Sequence, residues 1–374
     1  MNNSSVPSDV TTLISTAREN KWQKRWETVH ELVKIGKPAV LPLIELLQGE
    51  DIEAKLFAVN CLGRLKDQRA IEPLLKLLEE ENSQLRPDII LVLGNLGYTE
   101  ILGEVCEILI NKGNSAKLRI DAAGALGNMR DERAIESLKK VFLDSTDNAS
   151  TLDDKSVREC VTTALVQFGK RVLPLFLEAL KNPDWRTRRF AADGLRELGD
   201  SRAVEPLIEA TKDLDNSVRW HAIYALRDFK DSRAYDAYLV ALKDEDYSVR
   251  GITSLSLAKL GDKRAYEPLL ENLNDKSRLT KKHVVEALGI LGDSRAVEVL
   301  IPLLKDIHYS IRLEAARALG GVGDMSVIPY LKELIDNETS TNWYAAWIRS
   351  EAGLAIGQIQ KRNLAIVEQK DTPT

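Results

Sequence analysis

Much that would announce a chemistry is missing from these 374 residues. There are only three cysteines, Cys61, Cys106 and Cys160, and no two of them form a C-x-x-C pair. That excludes a disulfide framework and fits a reducing compartment. No apolar stretch reaches the roughly 18 residues that a membrane-crossing helix needs, so insertion by that route is not expected. The opening MNNSSVPSDV has neither a basic cluster nor an apolar run, and a cytoplasmic location is the expectation. Positive charge is also short: 52 Lys and Arg against 57 Asp and Glu leave a formal net charge of -5. A phosphate-binding face needs the opposite balance, so nucleic acid is not the expected partner. Nor is there a G-x-S-x-G, a P-loop, a G-x-G-x-x-G or an H-E-x-x-H. No catalytic residue, metal or cofactor is expected, and the chain reads as non-enzymatic.

What the chain does have is a strict period. The strings GDSRA, KDSRA, GDKRA and GDSRA place Ala203, Ala234, Ala265 and Ala296 at intervals of 31 residues, and Val327 of GDMSV falls one interval further on. A period of this length marks a stacked repeat array, in which each unit buries its apolar face against its neighbours. Within Gly199–Lys230, Val204, Leu207, Ile208 and Thr211 share one face of a short helix A. Val218, Ala222, Ala225, Leu226 and Phe229 share one face of a longer helix B. Asp215 stands where an N-cap acceptor belongs, and Gly where a helix closes in the left-handed conformation. Pro206, Pro268 and Pro329 recur early in helix A, either in its first turn or kinking it. Ala191, Ala222 and Ala225 hold small columns that let helices approach closely.

The same grammar reads from residue 20 to 359 as about eleven helix pairs, an all-α solenoid. Residues 1–19 read as a flexible N-terminus or cap, and 360–374 as a frayed, charged C-terminal tail. Two insertions break the register, at 144–154 and 336–347. The tryptophan pairs Trp22 with Trp26 and Trp343 with Trp347 are expected to cap the open ends of the core.

The pattern G-D-x-R-A-x-x-P-L-x-x-A-L, followed by V-R-x-x-A-A-x-A-L-G, resembles the HEAT-like repeats of the phycobilisome-lyase type. GDSRAVEPLIEATKDLDNSVRWHAIYAL and GDSRAVEVLIPLLKDIHYSIRLEAARALG carry the likeness. The resemblance implies a ladder of Asp and Arg between neighbouring units, here Asp213, Asp244, Asp275 and Asp306 with Arg188, Arg219, Arg250 and Arg312; Lys281 departs from it. It also implies a choice among bilin lyases or isomerases, protein scaffolds and a di-iron hydroxylase. The hydroxylase needs several His-Glu pairs, and only His30-Glu31 is present; His221, His283 and His308 are followed by Ala, Val and Tyr.

Helix B has a second stripe that the core does not use. It comprises Arg189, Phe190, Asp193 and Arg196 in one unit and Trp220, His221, Tyr224 and Arg227 in the next. Ile252 and Leu255 follow in the third. Helix B of such pairs lines the concave side, where partners bind. An exposed row of aromatics flanked by arginines has the composition of an interface core. The expected function is a scaffold, adaptor or assembly factor holding a protein partner, with an acidic segment suited to the arginines. The alternative is a bilin lyase or isomerase component, with arginines on the propionates of a tetrapyrrole.

Overall fold

The computed structural model describes residues 8–19, 25–80, 85–146 and 152–370. Every regular element among them is helical, α-helices alternating with short 3₁₀ turns. The chain divides into two compact units, Met1–Ala179 and Leu180–Thr374. Trp22 and residues 147–151 of the insertion at 144–154 lie outside the described residues, as does the side chain of Trp26.

In the first unit the long helices are Arg25–Ile35, Ile52–Leu65, Arg86–Asn95, Ala116–Met129 and Leu152–Val166. Shorter helices alternate with them, from Val40–Leu46 to Leu173–Ala179, each entered through a 3₁₀ turn. Small residues set the spacing. A Cβ built on Gly63 would meet Val92 at 2.8 Å, and one on Gly127 would meet the Ala164 Cα at 2.9 Å. Residues 8–19, part of the segment read as a flexible N-terminus or cap, form the helix Ser8–Glu19.

In the second unit the long helices are Trp185–Leu198, Asn216–Phe229, Tyr247–Lys259, Arg278–Leu291, Tyr309–Val322 and Trp343–Lys370, each packed along the next. Between them run Val204–Ala210, Tyr235–Ala241, Tyr266–Glu271, Ala296–Leu300 and Ile328–Asn337. Aspartates start most of these helices, though Ser277 caps Arg278–Leu291 and His308 gives Tyr309–Val322 no side-chain cap. Asp215 accepts from the N–H groups of Ser217 and Val218, satisfying donors that the first turn leaves free. Asp200 accepts from the Arg202 N–H and also from its guanidinium, at 2.9 and 2.8 Å. The recurring D-x-R is therefore a cap clamped by its own arginine. Gly199 closes one long helix at φ 60°; Lys230 holds the equivalent left-handed position in KDSRA, at φ 52°. Pro206, Pro268 and Pro329 all fall in the first turn of their helices, where no intrahelical N–H is lost.

Two expectations need correcting here. The last helix does not stop near Ile359 but runs to Lys370, so the segment from 360 continues it rather than fraying from it. Trp343 and Trp347 are not buried caps either: they are 60% and 46% exposed, because the helix turns Ala345, Ile348 and Ala352 inward and leaves the tryptophans outside.

Candidate binding site on the long helices

The long helices of the second unit are fastened by charge. Arg188 gives two hydrogen bonds of 2.7 Å to Asp213, and Arg219 gives two to Asp244 at 2.7 and 2.8 Å. Arg250 reaches Asp275 at 2.6 and 2.9 Å. The third nitrogen of each bonds main-chain carbonyls of its own turn, Arg219 taking those of Asp213 and Leu214. Lys281 gives one bond to Asp306 at 2.6 Å. Arg312 pairs with Glu338, in the lengthened turn, rather than with an aspartate, and takes the Asp306 carbonyl at 2.9 Å. These side chains join repeats and are not presented outward.

The structure gathers most of the second stripe into one cluster on helices Trp185–Leu198 and Asn216–Phe229. Trp220 and Tyr224, one turn apart, stack with ring centres 5.1 Å apart and planes at 13°. The Arg227 guanidinium lies over the Tyr224 ring at 4.2 Å, and that of Arg196 lies 5.1 Å from the same ring. Cation–π attraction to one ring thus holds two like charges together. Asp228 offsets that repulsion, at 3.3 Å from Arg196 and 3.6 Å from Arg227. The Nε atoms of Arg196 and Arg227 are buried without a conventional acceptor among the described residues. On the other edge, His221 Nδ1 lies 2.7 Å from the Ser217 carbonyl, and its Nε2 is 3.8 Å from Asp193. Trp220, His221, Tyr224, Asp193 and both arginines are all partly exposed.

Register explains the cluster. Arg196 and Arg227 occupy the column that later repeats fill with Ala258, Gly289 and Gly320. The small residues bring helices into backbone contact: a Cβ on Gly289 would meet the Ala318 Cα at 2.8 Å. Arginines in that column fill the groove between helices and carry their charged ends toward its rim.

The stripe is not exposed along its whole length, which corrects the sequence expectation. Phe190 is 4% and Ile252 6% exposed. Both are covered by helix packing, and Arg189 lies over the Phe190 ring at 4.2 Å. Leu255 is half-buried. Further along, His283 packs on Gly251, where a Cβ would meet its Nδ1 at 2.5 Å, and burial lowers its pKa. Glu314 is buried and pushed up by desolvation, against the pull of its neighbour Arg317. The partly exposed portion is therefore centred on Tyr224.

Among the described residues no group of three or more His, Cys, Asp or Glu is placed to hold a metal, and no helix is long and apolar enough to cross a membrane. His30 and Glu31 are exposed on Arg25–Ile35.

Helix pairs stacked through small columns and an Arg–Asp ladder define the class, an α-solenoid. The chain belongs to the HEAT-repeat family, whose profile matches residues 10–89, 71–152, 148–226, 204–289 and 266–349. Over 114 residues it is 30% identical to deoxyhypusine hydroxylase of Aspergillus fumigatus, covering 29% of this chain and 32% of that protein. Among solved structures, Kap121p bound to Pho4p aligns over 98% of this chain and 47% of its own, with a TM-score of 0.61 and 12% identity. Kap95p, in a structure concerning its effect on RanGDP, aligns over 86% and 52%, with a TM-score of 0.57 and 12% identity. The chain thus spans about a third of the hydroxylase and about half of each Kap chain. At such identities the structural likeness shows the fold.

Proposed function

We propose that this chain is a non-enzymatic scaffold or adaptor that holds a protein partner against the long helices of its second unit, centred on Trp220, Tyr224, Arg196 and Arg227. The observation that carries the reading is the aromatic pair bracketed by two guanidiniums, all partly exposed. Aromatics and arginines are the residues enriched where interfaces concentrate their binding energy. The cluster is already assembled, so binding loses little conformational entropy. Arg196 and Arg227 suit an acidic segment of the partner, which would compete with Asp228 for them. HEAT repeats in general serve such surfaces, and the Kap121p structure, bound to Pho4p, has a protein partner. That supports the reading at the level of fold.

The test is affinity purification of the tagged chain beside a Trp220→Ala/Tyr224→Ala/Arg227→Ala variant, with eluates read by mass spectrometry and visible absorption. A colourless protein recovered by the wild type and lost by the variant is the expected result. Equal recovery by both would remove the site from this face. A pigment-bearing protein in the eluate would favour the bilin-handling reading that the repeat pattern implies.

A further inference from the structure

The last helix, Trp343–Lys370, carries a second surface of different character. Its inner face, with Ala345, Ile348, Ala352, Ala355 and Ile359, is buried against the preceding repeat. Its outer face presents Trp343, Trp347, Leu354 and Leu364, the last two 58% and 61% exposed. The helix thus carries large apolar side chains on both sides. Three of its charged side chains turn inward or sideways, while Lys361, four residues after Gly357, is exposed on the outer face. Arg349 bonds the carbonyls of Glu338 and Ser340, Glu351 pairs with Arg317, and Arg362 bonds those of Gly320 and Gly323.

The outer face also repeats the stacking register. Gly289 receives Ala318 of the next long helix, and Gly320 receives Ala355. Allowing for the lengthened turn before Trp343, the next member of that column is Gly357. A Cβ on Gly357, or on Gly353 one turn earlier, would meet nothing within 4 Å. The surface that joins repeat to repeat is therefore presented once more, unfilled by any described element.

We infer that a second copy of this chain fills it, through antiparallel pairing of Trp343–Lys370 with its counterpart about a two-fold axis between Gly353 and Leu354. The pattern is self-complementary about that point. Trp343 and Leu364 are equidistant from it, so each tryptophan meets the second copy's leucine at both ends. Ser350 and Gly357 are likewise equidistant, which keeps the backbones close through the middle, and Leu354 falls opposite Gly353. A knob facing its own hole across a two-fold axis is what an isologous interface requires. Glycine and serine at the crossing allow axes near the short end of the usual range of about 8–10 Å. Large exposed apolar patches of this kind mark association surfaces.

Sedimentation equilibrium of the full chain across a hundredfold concentration range is the test, beside Leu354→Lys and Gly357→Leu. The wild type is expected to dimerise, and each variant to weaken the dimer roughly tenfold or more. At concentrations where the chain is monomeric, circular dichroism should show the fold retained, and Gly357→Leu should melt no lower than the wild type, since both positions are open in the single chain. A wild type that stays monomeric throughout would overturn the inference. So would a dimer that both variants leave intact.

Discussion

Arg219 and Asp244 join one repeat to the next by two parallel hydrogen bonds, with both side chains more than nine-tenths buried. Burial of two charges is costly, and the pair offsets that cost because the remaining guanidinium nitrogen is also used, on the carbonyls of Asp213 and Leu214. Arg219→Ala takes both guanidinium donors from Asp244, which keeps only the Asp246 N–H, and removes the donor to two carbonyls. Loss of one partner of a buried pair costs about 3–5 kcal/mol. Urea denaturation followed by circular dichroism should show a loss in that range; a loss below about 1 kcal/mol would mean the pair is no better than a surface one. Lys281→Arg should act in the opposite sense, gaining about 0.5–1.5 kcal/mol from the added hydrogen bonds.

The same ladder makes the fold sensitive to acid. Burial pushes the carboxyls of Asp213 and Asp275 up. Bonds from Arg188 and Arg250, with the N–H groups of Asp215 and Ser277, outweigh it and hold both below the usual range. In the first unit Asp67, bonded by the side chain and N–H of Arg69, is lowered to about 2. A depressed folded-state pKa stabilises above the unfolded value of about 3.9, and that contribution vanishes as pH falls through the folded value. Melting temperature should therefore hold steady down to about pH 4 and drop between about 4 and 2. In Arg188→Gln the neutral-pH melting point should be lower and the acid slope shallower. An unchanged slope would assign acid sensitivity to other carboxylates.

Local features of the fold were legible because they depend on near neighbours. The Asp215 cap, the left-handed closures and the small columns each follow from a few consecutive residues. The fate of the second stripe depended instead on where one long helix crosses the next. Arg189 and Phe190 are adjacent, about 100° apart on a helical wheel, and both border the stripe, yet the crossing buries Phe190 and leaves Arg189 lying on its ring. An i, i+4 pair such as Trp343 and Trp347 shares a face, but periodicity alone does not say which. Tyr224 meets Arg196 only through the repeat-to-repeat register, which the shared column of Arg196 and Arg227 contained but helix-by-helix reading does not weigh.

Cysteine chemistry offers a check on the first unit. Cys61 is fully buried, and burial pushes its thiol up to about 12. Cys106 and Cys160 are partly exposed and raised as well, mainly by burial. The reactive species is the thiolate, so alkylation at neutral pH should be slow at Cys106 and Cys160 and absent at Cys61 until the protein unfolds. Labelling at Cys61 as fast as at Cys160, read by peptide mass spectrometry, would show that Ile52–Leu65 opens readily in the native state.

Two glycines one turn apart on Ala116–Met129 should respond with opposite signs. Gly124 is exposed, and a Cβ there would meet nothing within 4 Å. Gly124→Ala removes only the helix penalty of glycine and should stabilise by about 0.5–1 kcal/mol. Gly127 faces Leu152–Val166, where a Cβ would come within 2.9 Å of the Ala164 Cα and 3.1 Å of its Cβ. Both contacts are with a rigid neighbour, so the helices must separate rather than a side chain swing aside. Overpacking of this kind costs about 1–3 kcal/mol, which exceeds the gain in helix propensity. Gly127→Ala should therefore lower the melting temperature while Gly124→Ala raises it. If both raised it, the glycine column would reflect composition alone, and close approach of the long helices would not be what holds the repeats in register.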